Sequence, residues 1–242
     1  MKNIIGFWGY LDPSIVEKYK KLYPSASWVD LDICYDRPQV KILPEAYCHI
    51  IKNIIDNAFY LKDELILILA PIGKDKCDSA FFTSEILKEY GFNIVQLKSE
   101  SCVPLDKLPK TPICKSSIPL REKIQLITGN IIERKEYNPK ECKARFGFWG
   151  VPPHDLSILD LFPDDTHVFG WLRCVEAQNP SNIELEMLVD ENLPTVFYSQ
   201  TFCAKNQLAK YLANKYGGIY IDVDGMCNNS AKAKIEAFLR LS

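Results

Sequence analysis

Four side chains suited to proton transfer or nucleophilic attack fall in the second half of the chain: His154, Glu176, Glu184 and Cys203. His154 follows Val151-Pro152-Pro153, where a neutral imidazole suits acid–base work or metal ligation. The same position also fits an ordinary loop histidine beside a helix that Asp155 caps. Glu176 and Glu184 belong to a polar stretch, 174–186, that follows one strand and opens a helix. Polar groups at a strand end face the ligand side of an α/β sheet, which adds Arg173 and Asn179 as ligand-binding candidates. Helix capping accounts equally well for Ser181, Asn182 and the acidic first turn. Cys203 lies in 200–205, between an apolar strand and a helix. Backbone amides at a helix start favour an anion and promote a thiolate, so Thr201, Cys203 and Lys205 read as a phosphate or thiolate site. A buried, inert cysteine is the competing reading. The first half places Lys74, Lys76 and Cys77 in a corresponding loop, and neither loop carries Gly-x-Gly-x-x-Gly or a P-loop.

The elements that must position these residues come in two sets. Gly6-Phe7-Trp8-Gly9 recurs as Gly147-Phe148-Trp149-Gly150. Further matches follow in order: Leu22-Tyr23-Pro24 with Leu161-Phe162-Pro163, Cys34 with Cys174, Pro38 with Pro180, and Tyr90-Gly91 with Tyr216-Gly217. Self-similarity of this kind marks a duplicated unit. Periodicity predicts strands over 3–7, 27–33, 64–70 and 92–97, with helices over 13–22, 44–59 and 80–90. The second set predicts strands over 145–149, 166–172, 195–199 and 219–223, with helices over 155–161, 182–190, 204–216 and 229–241. Continuously apolar strands separated by helices imply mostly parallel sheets covered on both faces. The expected fold class is α/β, as two tandem Rossmann-like (flavodoxin-like) repeats enclosing a pseudo-twofold interlobe cleft. The repeats span 1–99 and 144–242, joined by a Pro-containing connector, 100–143, with a helix over 120–134. Trp8 and Trp149 then offer flat stacking faces on opposite walls of the cleft, or alternatively pack the two cores.

Composition narrows the partners. A net charge of −2 and no long basic run argue against nucleic acid. No apolar run approaches the roughly 20 residues that a membrane helix needs. Nine cysteines without a Cys-x-x-Cys pair, and no export signal at Met1, suggest reduced thiols and a cytoplasmic setting. The expected partner is a small-molecule ligand, nucleotide-like in its planar and phosphate-bearing character, with a homodimer as a further possibility. No cofactor is specified.

Two segments resemble known families. Lys215-Tyr216-Gly217-Gly218-Ile219-Tyr220-Ile221-Asp222-Val223-Asp224 resembles the DxD segment of metal-dependent glycosyltransferases. The resemblance implies Asp222 and Asp224 on Mn²⁺ or Mg²⁺ at a sugar diphosphate. The Asp and Arg of that family's preceding helix fall on Asn206 and Ala209. Residues 182–198 are similar to the helix-then-strand segment of nucleoside 2-deoxyribosyltransferases, which implies Glu184 at a glycosidic carbon. The reading favoured is an enzyme, transferase rather than hydrolase, acting on a planar phosphate- or nucleotide-bearing metabolite between the lobes. In it Trp8 and Trp149 stack, Arg173 or Lys205 meets the anion, and Glu176, Glu184 or His154 moves protons. A duplicated pair of lobes also resembles class II chelatases, which implies metal or tetrapyrrole handling through His154, Cys174 and Cys203. A non-catalytic scaffold is the remaining alternative.

Overall fold

The computed structural model describes residues 3–35, 37–73, 77–98 and 103–242. Lys74, Lys76 and Cys102 lie outside the described residues. The chain divides into two compact units, Met1–Ser101 and Cys102–Ser242, each described by itself.

In the first unit β1 (Ile4–Phe7) is wholly buried. Helix α1 (Pro13–Leu22) starts where the Asp12 carboxylate accepts from the Ser14 N–H and Pro13 fills the first turn. Strand β2 (Ser27–Asp30) is followed by α2 (His49–Tyr60), which buries Ile51, Ile54, Ile55 and Ala58 at helical spacing. Strand β3 (Leu65–Ile72), α3 (Asp78–Glu89) and β4 (Ile94–Lys98) complete the unit. All pairings are parallel, in the order β2-β1-β3-β4.

In the second unit a 3₁₀ turn at Leu105–Lys107 precedes α4 (Leu120–Glu133), which is followed by β5 (Phe146–Trp149), a 3₁₀ turn at Leu156–Leu161 and β6 (Thr166–Phe169). Then come α5 (Trp171–Glu176), α6 (Ile183–Met187), β7 (Thr195–Gln200), α7 (Asn206–Tyr216), β8 (Ile219–Val223) and α8 (Asn229–Leu241). Its sheet is also wholly parallel, ordered β6-β5-β7-β8. The protein is therefore α/β, with two four-stranded parallel sheets of the Rossmann-like kind.

Several local expectations differ from the structure: the helix read over 44–59 begins at His49, the strand read over 27–33 ends at Asp30, the helix read over 182–190 is only Ile183–Met187, and that read over 155–161 is a 3₁₀ turn. Residues 166–172 read as one strand, but Gly170 adopts φ 73° and turns the chain into α5 after Phe169. The stretch read as a connector, 100–143, is fastened, over its described part, to the second unit. Val168 N–H donates to the Cys114 carbonyl along the outer edge of β6, at 3.0 Å. The Lys123 ammonium of α4 is fully buried and donates to the carbonyls of Asp164 and Thr166, at 2.9 and 2.6 Å. A strand edge is thereby covered rather than left open.

Candidate functional site

In each sheet the first strand lies inside and the connections run outward to either side. The strand order reverses between β5 and β7, and ligands of open parallel sheets collect beyond the carboxyl ends at such a point. In the second unit that edge carries the loop from Gly150 to Asp155, the turn from Thr201 to Lys205, and the end of β8.

The two tryptophans face inward. Trp8 is 2% exposed and packs with Leu31, Ile51, Ile54, Ile68 and Ala70; its indole N–H is buried without a hydrogen-bond partner. Trp149 is 1% exposed against Phe169, Phe197, Ala209 and Leu212, and its N–H donates to the Glu186 carbonyl at 2.7 Å. The stacking faces expected at these positions are used by the two cores.

Arg173 projects from α5 over the Phe169 ring, 5.0 Å from its centroid. One guanidinium nitrogen, Nη2, donates to the carbonyls of Leu185 and Leu188, and Nε is buried without a partner. Beside it, Glu186 of α6 is nearly buried and forms an ion pair with the half-buried Lys205. Trp149, Arg173, Glu186 and Lys205 thus converge on the carboxyl end of α6. Of these, Lys205 stands at the head of α7, whose first turn has no side-chain cap. The first amide of α7, that of Asn206, is taken by the Cys203 carbonyl, which leaves the following first-turn amides beside the ammonium group. Thr201 and Cys203 lie in the same turn, where Asn206 Nδ2 donates to the Thr201 carbonyl at 3.3 Å and Asn206 N–H to the Cys203 carbonyl at 3.0 Å.

Other candidates are held elsewhere. Glu176 accepts the N–H groups of Ile113 and Cys114 at 2.7 and 2.9 Å, one on each oxygen. Asn179 receives the Val103 N–H at 3.2 Å and donates back to the Val103 carbonyl at 2.8 Å; Asn182 donates to the same carbonyl, also at 2.8 Å. These three side chains fasten residues 103–114 to the unit. Glu184 is exposed in the first turn of α6. His154 is half-buried, and its backbone hydrogen-bonds the hydroxyl of Tyr198, a phenol that burial pushes well above its ordinary range. Asp155 caps the following 3₁₀ turn through the Ser157 N–H and also accepts the Cys227 N–H at 3.1 Å.

Sequence patterns did not point to Tyr198, Tyr220 or Asn206. Burial raises the Tyr220 phenol to about 12, with Asp222 adding to the rise and Asn206 opposing it. Only the β7–β8 register, which pairs Ser199 with Asp222, brings these groups beside Cys203, and register is not readable from one strand. The chelatase-type ligand set is not assembled: burial pushes the fully buried Cys174 thiol up to about 12. Among the described residues no group of three or more His, Cys, Asp or Glu side chains is placed to hold a metal ion, which applies equally to Asp222 and Asp224.

Glu176→Gln keeps one acceptor but turns an amide N–H towards a backbone N–H, and is expected to cost about 1–3 kcal/mol at neutral pH. Burial raises the Glu176 carboxyl above its ordinary 4.5, so the folded chain holds that proton more tightly than the unfolded chain. Stability contributed by this group therefore falls as pH climbs from 4.5 through the folded value. Urea midpoints measured across that range should show the slope in the parent and not in the variant; identical profiles would remove Glu176 from this role.

Fold and strand order together define an α/β protein with two four-stranded parallel sheets of the Rossmann-like kind. No family model matches the chain. It is similar to the 2-phospho-L-lactate transferase of Methanococcus vannielii, at 25% identity over 208 residues, covering 75% of this chain and 64% of that protein's length. No helix among the described residues is long and apolar enough to cross a membrane.

Proposed function

We propose that the chain is a transferase that binds a phosphate-bearing small molecule at the carboxyl edge of its second sheet. The observation that carries this is the β7–α7 turn, where Lys205 stands beside an uncapped helix start. Similarity to a transferase whose name specifies a phosphorylated hydroxy acid supports the same ligand chemistry. In this reading the phosphate lies on the first-turn amides of α7 that follow Asn206 and on Lys205. Glu186, nearly buried, aims the ammonium group, while Arg173 and Trp149 fix Glu186 by holding the carbonyls of α6. Thr201 and Cys203 line the turn, and His154 is the proton-transfer group. Glu176 and Asn179 act at a distance by bracing the unit, and Glu184 is left for a contact with the acceptor.

A tandem duplication, supported by the repeated tetrapeptide and the identical strand orders, is part of the proposal, as are a nucleotide-like ligand and a homodimer.

Titration calorimetry with 2-phospho-L-lactate, phosphoenolpyruvate, a nucleoside triphosphate and unphosphorylated L-lactate tests the reading. Phosphate-bearing compounds should bind and L-lactate should not. Lys205→Ala should weaken binding about tenfold, the loss of one charge-assisted contact. Binding of L-lactate as tight as that of its phosphate, or no binding by any phosphorylated compound, would overturn it.

A further inference from the structure

At the head of α7 a chain of polar groups leads from strand β8 to the proposed phosphate position. Asn206, half-buried, is the first residue of the helix and the neighbour of Lys205. Its side-chain nitrogen, Nδ2, donates to the Thr201 carbonyl at 3.3 Å. A carbonyl only accepts, so the amide is held with its nitrogen towards the turn. The Tyr220 hydroxyl hydrogen-bonds both the Asn206 side chain and the Asp222 carboxylate. A carboxylate likewise only accepts, so the phenol gives its single proton to Asp222. The phenol oxygen can then only accept, and it takes the second Nδ2 hydrogen of Asn206. The effects on the phenol agree with these directions, since Asp222 holds its proton on and Asn206 favours its loss.

The groups that carry this chain are fixed in place. Tyr220 and Asp222 share one face of β8, whose register against β7 pairs Tyr220 with Phe197 and Asp222 with Ser199. The Tyr220 ring packs against the cluster of Trp149, Phe197 and Ala209. Thr201 N–H donates to the Val223 carbonyl at 3.3 Å, which carries the β7–β8 ladder into the turn. With both Nδ2 hydrogens committed, Asn206 has one group left, the acceptor Oδ1. Among the described residues no donor reaches that oxygen, and it is not buried, so a ligand can.

We infer that Asn206 makes the proposed site selective for phosphate esters that carry a free hydroxyl group, with Tyr220 as the positioning residue that keeps Oδ1 presented to it. The inference rests on the phosphate reading of the β7–α7 turn. Asn206 stands in the chain between Lys205 and the first-turn amides assigned to the phosphate. A hydroxyl on the ester can donate to Oδ1. A carboxylate there meets a second acceptor, with the exposed Asp222 carboxylate behind it. Asp222 thus acts through two other side chains rather than on a ligand itself.

Titration calorimetry of the full chain with sn-glycerol 3-phosphate, propyl phosphate and inorganic phosphate tests this. Propyl phosphate matches the glycerol ester in length and lacks its hydroxyl groups. The glycerol ester should bind about fivefold tighter than propyl phosphate, the worth of one neutral hydrogen bond. Asn206→Ala should bring that ratio to about one. Tyr220→Phe should roughly halve it, because the amide is then free to turn its nitrogen outward. A tyrosine that only packs would lower both esters alike and leave the ratio as it was. Equal affinities for the two esters in the unmodified chain overturn the inference without any variant having to fold. An unchanged ratio in a folded Tyr220→Phe chain overturns it as well, and in both cases the phosphate reading stands. Failure of all three compounds to bind strikes the phosphate reading itself and takes this inference with it.

Discussion

Gly147→Ala should destabilise the second unit by about 3 kcal/mol, and Gly6→Ala the first by about half as much. The two glycines share a place in the repeated tetrapeptide but meet different neighbours. A Cβ at Gly147 would lie 2.3 Å from the Thr195 hydroxyl and 2.8 Å from the Phe169 ring. Thr195 is buried and its hydroxyl donates to the Leu193 carbonyl at 2.9 Å, so it cannot withdraw without losing that bond. At Gly6 the nearest atoms are methyl ends of Leu31 and Leu65, at 2.8 and 2.9 Å, which can move by rotation. Urea midpoints for the two variants decide the matter, and equal losses would show that hydroxyl and methyl neighbours yield equally.

The second large effect is expected at Trp149. Truncation to Ala should cost about 3–5 kcal/mol, since the indole is fully buried among Phe169, Phe197 and Leu212. Trp149→Phe separates the ring from its N–H. It keeps most of the apolar contact but leaves the Glu186 carbonyl without its donor, for about 1–3 kcal/mol. Trp8→Phe is the control, because the Trp8 N–H has no partner to lose. If the proposed site is right, Trp149→Phe also weakens phosphate binding, since Glu186 aims Lys205 from the same helix. A phenylalanine that costs the same at both positions would remove the hydrogen bond from the account.

The strands and most helices were legible because each satisfies a local rule. Helix α1 has its cap at Asp12, a proline in its first turn and lysines in its last, and its predicted bounds agree with the structure. Strand β7 is wholly buried around an apolar centre, Val196-Phe197-Tyr198, and is flanked by turns. Helix α5 was missed because Gly170 changes direction inside the apolar run from Val168 to Leu172, and one glycine does not announce its sign of φ. The polar candidates were legible as residue types but not as roles. Glu176 and Asn179 find their partners 63 and 76 positions earlier in the chain, at Ile113 and Val103. Contacts at that separation depend on the assembled sheet. The tryptophans show the same limit: the tetrapeptide marked the ends of the two first strands, but the direction of each ring is set by what packs behind it.

The clasp on Val103 also sets a schedule. Its backbone is held by Asn179 and Asn182, so nothing can fix it until the chain has been extended by 76 to 79 residues. At about 5–20 residues per second, a ribosome takes roughly 4–16 s to supply them. For that interval the segment leading to α4 has no home, and the outer edge of β6 cannot close until both it and Cys114 are in place. The N-terminal segment of the second unit is thus fixed late, once the middle of that unit has been made, while the first unit can form as soon as β4 has emerged.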